Sequence, residues 1–140
     1  MDHEIAIPAS LDSVSLARHE VITFLEDLGY PPESAFEVGM ALAEALTNAI
    51  VHGCHCDPRL RITIHVSCDR SRVCLVVRDP GQGFNPAQLR DRASAEGFLS
   101  RSGRGIQMMR SYMDHVAFER GGREVHMTKS WPMCGEAQSA

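Results

Sequence analysis

The 140-residue chain lacks several features that would assign it quickly. Its 14 lysines and arginines are scattered against 18 acidic residues, for a net charge of −4, and no basic cluster marks a phosphate-backbone footprint. Direct nucleic-acid binding is therefore not expected. No apolar run suggests the ~20 residues a membrane span needs. The acidic start Met1-Asp2-His3-Glu4 has no signal-peptide core, so a cytoplasmic protein is expected. Five cysteines are an odd number, which argues against a disulfide framework and for free thiols. The run His52-Gly53-Cys54-His55-Cys56 invites a metal reading, but its Cys-x-Cys spacing is tighter than a zinc knuckle and no second ligand pair follows. A helix-end loop is the simpler reading. There is no Gly-Lys-Ser/Thr phosphate loop, no internal repeat and no low-complexity segment.

What is present is patterned. A length of 140 residues with 44% hydrophobic content suits one domain with an ordinary core. Glu4 to Pro8 alternates and ends in proline, as an edge strand does. Ser10 or Asp12 can cap a helix that turns Leu16, Val21, Phe24, Leu25 and Leu28 inward and stops at Gly29. Pro31-Pro32 then opens a second helix, from about Glu33 to His52, with Val38, Leu42, Ala45 and Ala49 on one stripe and Gly53 as its stop. Arg59 to Ser67 alternates as a strand, with Leu60, Ile62, Ile64 and Val66 on one face. Asp69-Arg70-Ser71 turns the chain into a more fully buried strand, Val73 to Val77. Asn85 to Ser102 is polar and poor in core residues, a pattern that suits a lid. A helix from about Gly105 to Met113 carries Met108, Met109 and Met113 as packing residues. Two strands, His115–Glu119 and Arg123–Lys129, meet at Gly121-Gly122. The expected fold class is α/β (α+β). It is a two-layer sandwich in which a mixed, mostly antiparallel sheet carries its helices on one face. Residues 1–131 form the single domain and 132–140 a loose tail.

Three separated pieces read together as a nucleotide pocket. Glu44 and Asn48 stand one helical turn apart and so share a face. Asn48 offers a hard carboxamide oxygen suited to a Mg²⁺ already bound to phosphates. Glu44 is placed to orient or deprotonate an attacking hydroxyl or water. Asp79-Pro80-Gly81-Gln82-Gly83-Phe84 puts a carboxylate at the end of an apolar strand, with two glycines that allow close backbone approach to a flat base. Gly103-Arg104-Gly105-Ile106 offers backbone N–H groups at a helix start, where anionic phosphate is favoured, and Arg104 with nearby Arg101 adds charge. His52 either touches the nucleotide or caps the helix end. Taken singly, each piece has a plain structural explanation, as a solvated helix face, an Asp-Pro-Gly turn or a glycine hinge.

In this order the three pieces resemble the GHKL (Bergerat-type) ATPase superfamily of gyrase, heat-shock chaperones, histidine kinases and mismatch-repair ATPases. Within it, Glu44, Asn48, His52 and Gly53, then Gly103-Arg104-Gly105-Ile106, Met108-Met109 and Met113-Asp114, look most like the small serine kinases that act as bacterial anti-sigma factors. The resemblance implies a histidine-kinase-like ATP-binding fold over about Ile5 to Lys129. It implies ATP and Mg²⁺ as cofactors, Glu44 as catalytic base and Asn48 as the one protein ligand of the metal. It implies Asp79 as acceptor of the adenine amino group, with His52, Gly81, Gly83, Phe84, Gly103, Arg104, Gly105 and Ile106 around the nucleotide. The implied activity is a partner-switching serine/threonine kinase that phosphorylates an anti-sigma-factor antagonist protein, sequesters a sigma factor or comparable regulator, and forms a homodimer. The family usually begins its closing strand Gly-Thr, where this chain has Gly122-Arg123. Rival readings are a nucleotide-binding sequestering module without phosphoryl transfer, the ATP-binding part of a histidine kinase, and a simple ATPase.

Overall fold

The computed structural model describes residues 1–87 and 101–131, with the side chains of 101–104 left aside. Five strands form one sheet: β1 (Asp2–Pro8), β2 (Arg61–Cys68), β3 (Arg72–Arg78), β4 (His115–Glu119) and β5 (Glu124–Ser130), in the order β1-β2-β3-β5-β4. Every pairing among these strands is antiparallel, so the expected mixed character is absent from the described sheet. Register follows the apolar alternation. Ile5 lies opposite Ile64, Val66 opposite Leu75 and Leu75 opposite Met127, and all five are buried on one face.

Among the described residues three helices cover that face: α1 (Val14–Asp27), α2 (Pro32–Asn48) and α3 (Arg101–Tyr112). α2 packs against both of the others and against β3. Its Ala35, Val38, Ala41, Leu42, Ala45 and Leu46 are all buried, so it is apolar nearly all round and serves as the central core helix. Gly39 lets α1 approach, since a Cβ there would lie 2.6 Å from Ile22 Cδ1. With the turn that follows it, α2 forms the stretch Pro32–Gly53, which is long and apolar enough to cross a membrane, contrary to the expectation from sequence. Within the fold 61% of that window is buried, as a core helix requires.

Several expectations shift in detail. Leu16 is exposed, because the inward stripe of α1 is Ala17, Val21 and Leu25 at four-residue spacing, and Leu16 falls about 100° off it. β3 buries Val73, Leu75 and Val77 but leaves Cys74 and Val76 half-buried, because only one face of the sheet carries helices. The second helix ends earlier than His52. The α-helical pattern stops at Asn48 and widens into a π-type turn, Ala49–Gly53, in which the Cys54 N–H donates to Ala49 O at 2.8 Å. Asp69 closes the β2–β3 turn as expected, its Oδ1 accepting from Ser71 N at 2.7 Å and Arg72 N at 3.0 Å. The β4–β5 turn uses Arg120, Gly121 and Gly122 in positive φ. The proposed lid falls largely, and the tail at 132–140 wholly, outside the described residues.

α3 also differs from expectation. It is already helical at Arg101, so Gly103 and Gly105 lie inside it and do not open it. The balance of energies explains this. Each interior glycine costs a helix about 1 kcal/mol, whereas burying Ile106 and Met109 is worth about 1.5–3 kcal/mol apiece, and both are fully buried.

Candidate nucleotide site

The site lies where the C-terminal end of α2, the end of β3 and the N-terminal half of α3 converge. Glu44 and Asn48 are both on α2 and both buried, at 8% and 2% exposure. Asn48 Nδ2 is the one buried side-chain polar atom among the described residues with no hydrogen-bond partner. Leaving such a group unsatisfied costs about 1–3 kcal/mol, so nothing in the stability of the fold accounts for it. Gly105 of α3 faces the same spot, where a Cβ would sit 3.3 Å from Glu44 Oε2. The glycine thus leaves room beside the carboxylate.

Asp79 is 4% exposed at the end of β3. Its backbone N–H donates to Arg123 O at 2.8 Å, which carries the β3–β5 pairing one residue further. Its Oδ1 accepts the Gly81 N–H at 2.9 Å, and Cys54 Sγ lies 3.9 Å from the same oxygen. Burial pushes the Asp79 carboxyl above the usual carboxylate range, against the opposing pulls of the Gly81 N–H, the Arg123 charge and the Cys54 thiol. The same burial, with the Asp79 charge beside it, pushes the Cys54 thiol up to about 11.

The glycines here are set by close contacts. A Cβ on Gly53 would lie 2.8 Å from both Asp79 oxygens. One on Gly81 would lie 2.0 Å from Gly53 O, which also accepts the Gln82 N–H at 3.0 Å. The loop after Asp79 is therefore fastened to the end of α2. Gly83 has φ +78 and abuts Gly121 O, while Gly122 abuts the Phe84 backbone. Phe84 N–H donates to Gly121 O at 2.9 Å, and the Phe84 ring lies 5.9 Å from the His52 ring.

The structure thus brings Gly105 against Glu44, one helical turn from Asn48, and separately joins Asp79 to Gly81 and Gly53 and His52 to Phe84. Ile106 is in the core. Arg104 is on α3, but its side chain lies outside the described residues. Sequence reasoning gave no site role to Cys54 or Arg123. Arg123 Nε donates to Gly81 O at 2.9 Å and so braces the loop. The Gly122-Arg123 pair in place of Gly-Thr was the only signal for Arg123. Cys54 was visible only as part of a metal-like run. In the structure it points to Asp79, while the one grouping of His and carboxylates close enough to share a cation, among the described residues, is Glu119, Glu124 and His126. Glu124 is already paired with Arg78 and His126, and that pairing holds its carboxyl down at about 2. An open surface pocket of about 540 Å³, lined by Met1, Leu28, Cys68, Asp69, Arg70 and Trp131, touches none of the site residues.

Comparison with known proteins shows the family. The family model of the histidine kinase-like ATPase domain matches residues 7–129, and the chain belongs to that family. It is 35% identical over 120 residues to the anti-sigma F factor of Bacillus cytotoxicus, covering 82% of each chain. It is 34% identical, with the same coverage, to the anti-sigma F factor of Bacillus thuringiensis. Its fold is similar to that in the crystal structure of the RsbU and RsbW domains of Rv1364c from Mycobacterium tuberculosis, with a TM-score of 0.65 and 17% identity. That match covers 93% of this chain but only about a third of the other, 32%.

Proposed function

We propose that this chain is an ATP- and Mg²⁺-dependent protein serine/threonine kinase of the partner-switching type. It phosphorylates a small antagonist protein on a hydroxyl side chain and restrains a sigma factor or comparable regulator. The observation that carries the reading is the pair Glu44 and Asn48, both desolvated, one turn apart, with Asn48 Nδ2 left without a partner. A buried carboxylate beside a buried amide that lacks a partner suits a ligand more than a core. The names of the anti-sigma F factor relatives support the partner class.

In this reading Asp79 accepts a hydrogen bond from the adenine amino group, and the Gly81–Gly83 backbone lies against the base. Asn48 fits a Mg²⁺ that is otherwise coordinated by phosphate and water, since a single neutral carboxamide oxygen adds a hard ligand without excess charge. When bound, the cation neutralises charge on the terminal phosphates. Gly103 and Arg104 belong to the phosphate end. Glu44 takes the proton of the acceptor hydroxyl as its oxygen bonds to the γ-phosphorus. The bond from that phosphorus to the β–γ bridging oxygen breaks, and ADP leaves. The protein works as a cytoplasmic homodimer, with residues 1–131 as its single domain.

The test is transfer of label from γ-labelled ATP to a small protein captured from native extract by the ADP-loaded chain. Labelled Ser or Thr on that protein is expected. Nucleotide binding with no labelled acceptor favours a sequestering module. Phosphate release without an acceptor favours a simple ATPase.

A further inference from the structure

The Asp79 carboxylate is held asymmetrically. The Gly81 N–H and the Cys54 thiol both converge on Oδ1, at 2.9 Å and 3.9 Å. Arg123 Nε donates to Gly81 O, which ties down the peptide that follows the Gly81 N–H in the chain. The carboxylate lies against the bare Cα of Gly53, where a side chain would meet both oxygens. Its plane is thus confined, one oxygen is engaged twice, and Oδ2 receives neither donor. We propose that Cys54 is a positioning residue for base recognition: its thiol holds Asp79 Oδ1 so that Oδ2 is presented to the exocyclic amino group of a 6-aminopurine.

The choice of a thiol suits the place. Cys54 is 2% exposed, so a residue there must tolerate an apolar surrounding. A thiol packs as a small apolar group yet still carries a weak donor. It remains protonated near neutral pH, because burial and the neighbouring Asp79 charge raise it to about 11, and so it supplies a hydrogen and adds no second negative charge. A weak donor also leaves the carboxylate basic, and so a good acceptor for the amino group. The inference rests on the proposed nucleotide reading and adds to it the residue that orients the reader.

Calorimetry with ATP and with inosine triphosphate, which carries a carbonyl in place of the amino group, tests the inference on the full chain. The wild-type protein is expected to prefer ATP. Cys54→Ala and the volume-matched Cys54→Val should cut that preference by about three- to tenfold, as loss of one weak thiol hydrogen bond implies, with inosine triphosphate affinity little changed. Cys54→Ser, which keeps a donor, should restore most of the preference. Wild-type affinity that is equal for the two nucleotides would overturn the adenine reading itself. If the wild type discriminates, an unchanged ratio in both Ala and Val variants overturns only the role of Cys54. An equal loss for both nucleotides assigns Cys54 to packing and likewise overturns it.

Discussion

Gly81→Ala probes how the loop after Asp79, proposed to read the base, is fastened. The new methyl carbon would lie 2.0 Å from Gly53 O and 2.6 Å from Gly53 C. Ordinary contact begins near ~3.5 Å, so the loop and the end of α2 must part by about 1.5 Å. That parting breaks the Gln82 N–H bond to Gly53 O at 3.0 Å, swings the Gly81 N–H off Asp79 Oδ1, and pulls Gly81 O from Arg123 Nε. Two of these three bonds involve a charged group, so their nominal sum is about 3.5–7.5 kcal/mol. The loop is half-exposed and water replaces part of this, which leaves about 2–4 kcal/mol. In a chain of this size the melting temperature should fall by roughly 5–15 °C, and ADP affinity should fall at least about thirtyfold, because Asp79 loses its orientation. Gly121→Ala is the control. It has φ +67 but nothing within 4 Å of the added carbon, so only backbone strain of about 1–2 kcal/mol is expected, with modest change in ADP affinity. Thermal denaturation and calorimetry on both variants decide. If Gly81→Ala behaves no worse than Gly121→Ala, the fastening of the loop to α2 does not shape the site.

Glu44→Ala should lower phosphoryl transfer by about 10²–10⁴-fold with nucleotide affinity largely kept, whereas Asn48→Ala should lower both Mg²⁺-dependent ATP affinity and rate; near-normal transfer by Glu44→Ala refutes Glu44 as base. Asp79→Asn should abolish the preference for ATP over GTP yet raise the melting temperature of the nucleotide-free protein at neutral pH. The sign follows from burial, which raises the folded carboxyl above its unfolded value. The cost of its charge is therefore fully present above the folded value, and it fades as acid protonates the folded state first. The stabilisation by Asp79→Asn should shrink below that point, and a gain independent of pH would contradict the assignment. Asp69→Ala should destabilise the protein at neutral pH, with the effect vanishing as pH falls from about 4 to about 2, where the turn-held carboxylate takes its proton; denaturation melts across pH check it. Light scattering at tens of micromolar should give the mass of a homodimer, and a monomer mass counts against that part of the proposal.

How much of this was legible in the sequence depends on which force sets each feature. The strands, the Asp69 turn and the apolar stripe of α2 follow from period and turn chemistry, which act locally and leave a local trace. Leu16 was misplaced because a helix stripe is decided by which face meets the neighbouring helix, and Ala17 with Gly39 opposite Ile22 allowed the close approach that turned Leu16 outward. The end of α2 was misplaced for a related reason. Nothing in Ala49-Ile50-Val51-His52 forbids a regular helix, and the π-type turn coincides with the closure of Gly53 onto Asp79 and the loop beyond it, a contact between positions 26 residues apart. The polar pattern of Glu44, Asn48 and Asp79 was readable because helical spacing and position at a strand end are sequence properties. What holds them ready was not. The Cys54 thiol, the Arg123 brace and the Gly81–Gly53 contact are tertiary, and each involves a residue whose type alone suggests something else: a metal ligand, a surface charge, a turn glycine. The groups proposed to bind and react are thus written locally, while the residues that would orient them are set by how α2, β3 and β5 meet.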